Sequence, residues 1–170
     1  MSTPLTEADY TLPIDYIRVI IEVPETGHES DTYSGSHPSI YLLTNDDGSV
    51  RLNMSRAKPD DTMGTYTPER CSYRCIDYPL KVVDLSAVKG LTVGDVTRLI
   101  KGKGRDRYEL VVSGTGCRFW VKTVIDDLNA AGYIDESAAE VTQAQSSLYK
   151  NYRMEEEDSE YEEIVPGAFV

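Results

Sequence analysis

The chain has only two histidines and three cysteines in 170 residues, a scarcity that narrows the chemistry open to it. A structural zinc site takes four ligands, mostly Cys and His. Cys71 and Cys75 bracket "SYR" in a β-prone run and the histidines lie elsewhere, so no metal is expected. Three cysteines are an odd number without disulfide-framework spacing, which fits a reducing compartment and leaves at least one thiol free. Basic residues are scarce too, 17 Lys and Arg against 29 Asp and Glu, for a formal net charge of −12. Nucleic acid and anionic membranes are held by clustered Lys and Arg, so neither is expected as a main partner. Long apolar runs are missing as well. The N-terminal "MSTPLTEADYTLPIDY" has neither the basic nor the apolar region of a secretory signal, and no segment approaches the roughly 20 apolar residues of a membrane span. The expectation is a soluble, cytoplasmic protein.

What is present suffices for one core. A chain of this length, 40% hydrophobic, forms one domain rather than two. Residues 1–12 read as a flexible arm and 13–153 as the folded domain. "IDYIRVIIEV" (14–23), rich in β-branched residues, reads as a buried strand, and "PETGHESDTYSGS" as the loop after it. "HPSIYLL" and "VRLNM", joined by "TNDDGS" with its Asp-Gly pair, read as a hairpin. "YTPERCSYRCIDY" and "LKVVDL" supply one or two further strands with Pro79 as the break, and "RYELVV" (107–112) another.

Three helices follow from caps and spacing. "TVGDVTRLIK" opens with Thr92 and Asp95 at capping-box spacing. A second helix runs from Cys117 to about 131 and stops at Gly132. A third begins at Ser137 with Glu140 three residues on and carries its apolar spacing through Leu148 and Tyr152. Residues 154–170 form an acidic tail: "EEEDSEYEE" is too self-repulsive to fold alone, and the apolar end "IVPGAFV" either hangs free or docks back on the core. The order strands, helix, strand, helix, helix argues an α+β fold, a single domain with an antiparallel sheet packed against helices.

The stretch "SGTGCRFWVKTVIDDL" (113–128) puts Cys117 behind a glycine-rich turn and at the start of a helix. A thiol is a strong nucleophile only as the thiolate, and the unpaired N–H groups and dipole of a helix N-terminus favour that anion. Gly114 and Gly116 allow a close backbone approach, and the N–H of Cys117 is one donor for a developing oxyanion. Cys117 also belongs to the apolar stripe Cys117, Val121, Val124, Ile125 and Leu128, so spacing leaves both a nucleophile and a core side chain open. Two histidines are available as a base. His28 sits in a polar loop and reads as exposed. His37 opens a strand, with Pro38 holding its backbone extended. Alternation puts His37, Ser39, Tyr41 and Leu43 on one face and Pro38, Ile40 and Leu42 on the other.

A histidine-led strand followed 80 residues later by a cysteine-led helix resembles the circularly permuted papain-like proteins, in particular the lecithin:retinol acyltransferase-like family and its phospholipase/acyltransferase relatives. "HPSIYLLTNDDGSVRLNM" looks like that family's histidine strand and its successor. "TVGDVTRLIKGKGRDRYELVVSGTG" looks like its helix-and-strand lead-in, and "GTGCRFWVKTVI" like its cysteine helix. The likeness spans about residues 37 to 131 in pattern and order. It implies a permuted papain-like fold, with Cys117 as nucleophile and His37 as base. The family places a second polar residue, commonly histidine, on the strand paired with the first, and this chain has no histidine there. Arg51 and Asn53 are the nearest substitutes. Arginine cannot accept from a ring N–H and asparagine can, so Asn53 is the candidate third member. The residues flanking the family's cysteine are replaced by Gly116 and "RFW". A closer likeness is to a family of fungal proteins with "SIYLL", "GSVRLNM", "KGRDRY" and "GCRFW"-like elements and a "PGTF"-like tail. It implies the same fold and a fungal source, and no activity.

Two functions of different class follow. One is a thiol-dependent hydrolase or acyltransferase in which His37 takes the Cys117 proton and Cys117 attacks an ester, thioester or amide carbonyl. The other is a non-catalytic module on a papain-like scaffold, whose groove near Cys117, Tyr41 and Trp120 binds a small molecule or peptide. A weaker third reading takes "SGTG" with Arg118 as an anion site. The stretch lacks the P-loop lysine and the dinucleotide fingerprint, so Gly116 and Arg118 count as substrate contacts and no cofactor is expected.

Overall fold

The computed structural model describes residues 2–22, 37–56, 58, 61–110, 117–151, 160, 161, 164 and 166–170. Strands β1 (Ser2–Pro4), β2 (Ile14–Glu22), β3 (His37–Thr44), β4 (Ser49–Ser55), β5 (Thr65–Cys71) and β6 (Lys81–Ser86) form one sheet in the order β1-β5-β4-β3-β2-β6. Every neighbouring pair in it is antiparallel. Then come α1 (Val93–Gly102), β7 (Tyr108–Glu109), α2 (Cys117–Ala130), α3 (Ala138–Ser146), β8 (Lys150–Asn151), β9 (Glu160–Tyr161) and β10 (Ala168–Phe169). The protein is a single α+β domain. No helix among the described residues is long and apolar enough to cross a membrane.

Alternation gives the sheet two apolar faces. Ile17 and Val19 of β2, Ile40 and Leu42 of β3, and Val50, Leu52 and Met54 of β4 share a core with Val96 and Ile100 of α1, Trp120, Val121, Val124, Ile125 and Leu128 of α2, and Val141 and Ala144 of α3. Ile20, Tyr41, Leu43 and Cys71 form a second, smaller cluster, covered by Tyr73, Cys75 and Ile76 from the β5–β6 loop. The β3–β4 hairpin turns at Asp47, which adopts φ 65°. The neighbouring Asp46 carboxylate accepts from the Thr44 hydroxyl and from Arg70. Both α1 and α3 begin with the reciprocal caps expected, Thr92 with Asp95 and Ser137 with Glu140.

Three segments differ from their sequence reading. Within the stretch read as a flexible arm, Ser2–Pro4 pairs with β5, Glu7–Thr11 forms a 3-10 turn, and Leu5 and Leu12 pack against the core. The strand expected over 107–112 is confined to Tyr108–Glu109 among the described residues and pairs with β10 rather than joining the large sheet. The helix expected to reach Tyr152 ends at Ser146 and tightens into a 3-10 turn over Ser147–Tyr149. The Ser146 and Ser147 hydroxyls donate back to the Gln143 and Ala144 carbonyls and so compete with the helical ladder there.

At the C-terminus the apolar end docks. The β10 backbone pairs with β7, and the Phe169 ring lies 4.8 Å from Tyr108 and 6.2 Å from Phe119, centroid to centroid. The Arg105 guanidinium sits 4.4 Å over the Phe169 ring. Gly167 donates its N–H to the Tyr108 hydroxyl at 2.7 Å, and a Cβ there would run into the Glu109 carbonyl and the Tyr108 ring. Residues 152–159, most of the acidic run, lie outside the described residues.

Candidate active site

Strand register and helix anchoring set the site. Pairing of Ile40 with Leu52 and of Tyr41 with Arg51 puts Ser39 across from Asn53 and His37 diagonal to it. The first turn of α2 is held by Trp120, whose Nε1 donates to the Arg105 carbonyl at 2.7 Å, and the far end of the helix by the 2.7 Å ion pair of Arg105 with Asp127. Cys117 opens that helix and points its sulfur at β3.

The result is a line of three groups. Cys117 Sγ lies 3.3 Å from His37 Nδ1, and His37 Nε2 lies 2.7 Å from Asn53 Oδ1. The Ser39 hydroxyl also donates to Asn53 Oδ1, at 3.2 Å. An amide oxygen only accepts, so Nε2 carries a proton, and in the neutral ring Nδ1 faces the thiol as a lone pair.

The electrostatics favour an ion pair. Burial pushes the Cys117 thiol up, but the His37 charge, its hydrogen bond and the Arg118 charge outweigh burial and hold the thiol below its ordinary range. Burial likewise pulls His37 down. The Cys117 thiolate, its hydrogen bond, the Asn53 oxygen and the Glu22 carboxylate overcome that and push the imidazole up to about 9. Both shifts favour the thiolate–imidazolium form of the pair, and the two groups titrate together.

Further polar groups stand behind Asn53. Arg51 Nη2 lies 3.5 Å from Ser39 Oγ and 2.7 Å from Glu22 Oε1, and Glu22 sits directly opposite His37 across β2 and β3. By register, Glu22, His37, Ser39, Arg51 and Asn53 project from one side of the sheet. Ser39 and Glu22 were not singled out from sequence. Ser39 was within reach, because the Asp-Gly turn sets the hairpin register and with it the residue facing Asn53. Glu22 was not, because residues 23–36 separate β2 from β3 and leave their register open.

Tyr41 and Trp120 are corrections to the sequence reading. Alternation carries Tyr41 under the β5–β6 loop, where it is fully buried with its ring centroid 6.4 Å from that of Tyr73. Helical spacing turns Trp120 into the main core, fully buried with its ring 5.9 Å from Tyr66. Neither lines a groove. Arg118 is buried beside Cys117 and acts on it through charge. Tyr108, beneath the docked C-terminus, senses the same sulfur: burial chiefly pushes its hydroxyl up to about 12, against the Gly167 N–H and with the charge of Cys117. Gly116, with the rest of 111–116, and His28 lie outside the described residues. Among the described residues no three His, Cys, Asp or Glu side chains converge as a metal site requires.

None of the curated proteins and none of the solved structures matches the chain. A family model described as a domain of unknown function, DUF7770, matches residues 17–170, from within β2 to the C-terminus, and the chain belongs to that family.

Proposed function

We propose that the protein is a thiol-dependent hydrolase or acyltransferase acting on an ester, thioester or amide. The observation that carries the reading is the line from Cys117 sulfur through the His37 ring to the Asn53 carboxamide, at 3.3 and 2.7 Å. In the first half-reaction the Cys117 thiolate bonds to the substrate carbonyl carbon. As the tetrahedral adduct collapses, the bond to the leaving group breaks and the His37 imidazolium gives that group its proton. In the second, neutral His37 takes a proton from water or an acceptor nucleophile, which attacks the acyl-enzyme and returns the thiolate. Asn53 holds the ring with Nδ1 toward sulfur throughout, and the Cys117 N–H at the helix start is one donor to the oxyanion. The chain order of histidine strand, asparagine strand and cysteine helix supports a permuted papain-like arrangement. All three cysteines are free, and a reducing cytoplasm suits a site that works through a free thiol.

The test is alkylation of Cys117 by iodoacetamide across pH in wild type and His37→Ala, with a panel of activated esters, thioesters and peptides offered to wild type and Cys117→Ser. Wild-type Cys117 should react well below the pH range of a model thiol, and His37→Ala should abolish that advantage. A Cys117 that reacts no faster than a model thiol near neutral pH ends the nucleophile reading.

One observation favours a second reading. Cys117 is only 6% exposed, which favours a non-catalytic module that binds a small molecule or peptide over a working nucleophile, through contacts other than the enclosed Tyr41 and Trp120. Turnover of nothing in the panel, together with protection of Cys117 from iodoacetamide by a bound panel compound, would select it.

A further inference from the structure

The polar groups behind His37 form a chain that ends in a carboxylate. Asn53 Oδ1 accepts from Ser39, Ser39 Oγ meets Arg51 Nη2, and Arg51 Nη2 pairs with Glu22 Oε1 at 2.7 Å. Both charged side chains are largely buried, 16% exposed for Arg51 and 11% for Glu22. The strand register then returns the end of this chain to its start, because Glu22 is the residue directly across from His37. Directly opposed residues of an antiparallel pair have their Cβ atoms about 5 Å apart.

We propose that Glu22 is a positioning residue for His37: paired with Arg51, it holds the Ser39 and Asn53 acceptor system in register and lays a negative charge across from the imidazole ring. The proposal rests on the thiol-nucleophile reading of Cys117, whose base it equips.

The charges around the ring decide the sign. β2 contributes Glu22, β4 contributes Arg51, and α2 contributes Cys117 and Arg118. Tyr108 of β7 bears on Cys117 and is neutral near pH 7. Among these described groups, the Cys117 thiolate and Glu22 are the negative ones. When the thiolate is consumed in an acyl-enzyme, Glu22 is the negative charge left to stabilise an imidazolium. Without Glu22, that carboxylate would no longer offset the Arg51 charge beside Ser39, and the guanidinium would oppose a positive ring more strongly. A buried carboxylate is costly unless paired, and here the pairing also orders the acceptors that fix the ring.

The experiment is NMR titration of the His37 ring in the full chain, its signal separated from that of His28 by a His28→Gln background. Glu22→Gln keeps the shape and an acceptor for Arg51 while removing the charge. Arg51→Gln leaves the Glu22 charge unbalanced. The proposal expects the His37 midpoint to fall by about half a unit or more, roughly threefold in proton affinity, in Glu22→Gln, and to rise by a similar amount in Arg51→Gln. Loosened packing would instead lower both, because His37 starts near 9 and would drift toward the ordinary imidazole value. Two falls, or no movement, overturn the proposal. If Glu22→Gln loses its melting transition, the rise in Arg51→Gln decides alone. If Arg51→Gln loses it, Glu22→Asp decides, since restored charge should recover the wild-type midpoint and a packing defect should not. The nucleophile reading fails separately, in the alkylation of wild-type Cys117, and that failure leaves the His37 titration readable.

Discussion

Replacing Asn53 with alanine isolates what the third member of the line contributes. Asn53 Oδ1 accepts from the His37 Nε2–H at 2.7 Å and from the Ser39 hydroxyl at 3.2 Å, and alanine offers neither donor anything. A hydrogen bond to a charged group is worth about 1.5–3 kcal/mol and to a neutral one about 0.5–1.5, so Asn53 favours imidazolium over imidazole by roughly 1 kcal/mol. That difference corresponds to a downward shift of about 0.7 unit in the His37 midpoint, or roughly fivefold in the ratio of the ion pair to the neutral thiol–imidazole pair. A second effect adds to it. With no acceptor at Nε2, the neutral ring is free to carry its proton on Nδ1, where it faces sulfur as a donor rather than a base. The iodoacetamide rate of Cys117 between pH 6 and 7 should therefore fall, by up to about fivefold, followed by mass spectrometry of the Cys117 peptide with the Cys71 and Cys75 peptides as internal controls. The two stranded donors should also lower the melting temperature by several degrees, from about 1–3 kcal/mol of lost stability. A rate profile superimposable on wild type, under conditions where His37→Ala is slowed, would refute the role given to Asn53.

Three other outcomes follow from the same geometry. In Cys117→Ser the thiolate is gone, so the His37 midpoint should drop from about 9, and an unchanged ring titration would mean the two groups are not coupled. For stability the two shifts act with opposite sign: the His37 contribution is complete below about 6.5 and is lost as pH rises through about 9, while the contribution of the lowered Cys117 thiol grows over the same window, so the summed contribution of the pair should stay nearly level there, read by urea midpoints, and a steep wild-type loss would mean that the thiol keeps its proton. Gly167→Val puts a side chain into the Glu109 carbonyl and the Tyr108 ring. It should release the C-terminal strand at a cost of about 1–3 kcal/mol, visible as cleavage of a C-terminal peptide in limited proteolysis that leaves wild type intact. Trp120→Ala removes a fully buried ring and the hydrogen bond to the Arg105 carbonyl and should cost about 3–5 kcal/mol in urea unfolding; a loss below 1 kcal/mol would place the ring outside the core.

Local chemistry made much of this protein legible in its sequence. The Asp-Gly turn and the alternating residues around it define the β3–β4 hairpin, and its register brings His37 and Asn53 to one face. Thr92 with Asp95 and Ser137 with Glu140 mark their helices, because a side chain that satisfies a free N–H acts within three residues. Cys117 at the head of α2 was equally visible, with its double character of helix-start thiol and stripe residue, and in the structure it is 6% exposed and 3.3 Å from a histidine.

The rest depended on contacts between segments far apart in the chain. That Glu22 faces His37 follows from β2 pairing with β3 across residues 23–36, and a connection of that length carries no register signal. That Tyr41 lies under the β5–β6 loop, and Trp120 in the main core, depends on which layer covers each face, and period-two or period-3.6 spacing names the faces without naming their neighbours. β7 finds its partner 59 residues on in the C-terminal strand, through Tyr108, Gly167 and Phe169, and an apolar run after an acidic one has no local cue to where it docks. The sequence by itself determined the elements, their caps and the candidate residues, because those rest on interactions within a few positions. The tertiary structure decided which candidates meet, because a 3 Å contact between residues 80 apart is set by the packing of whole layers.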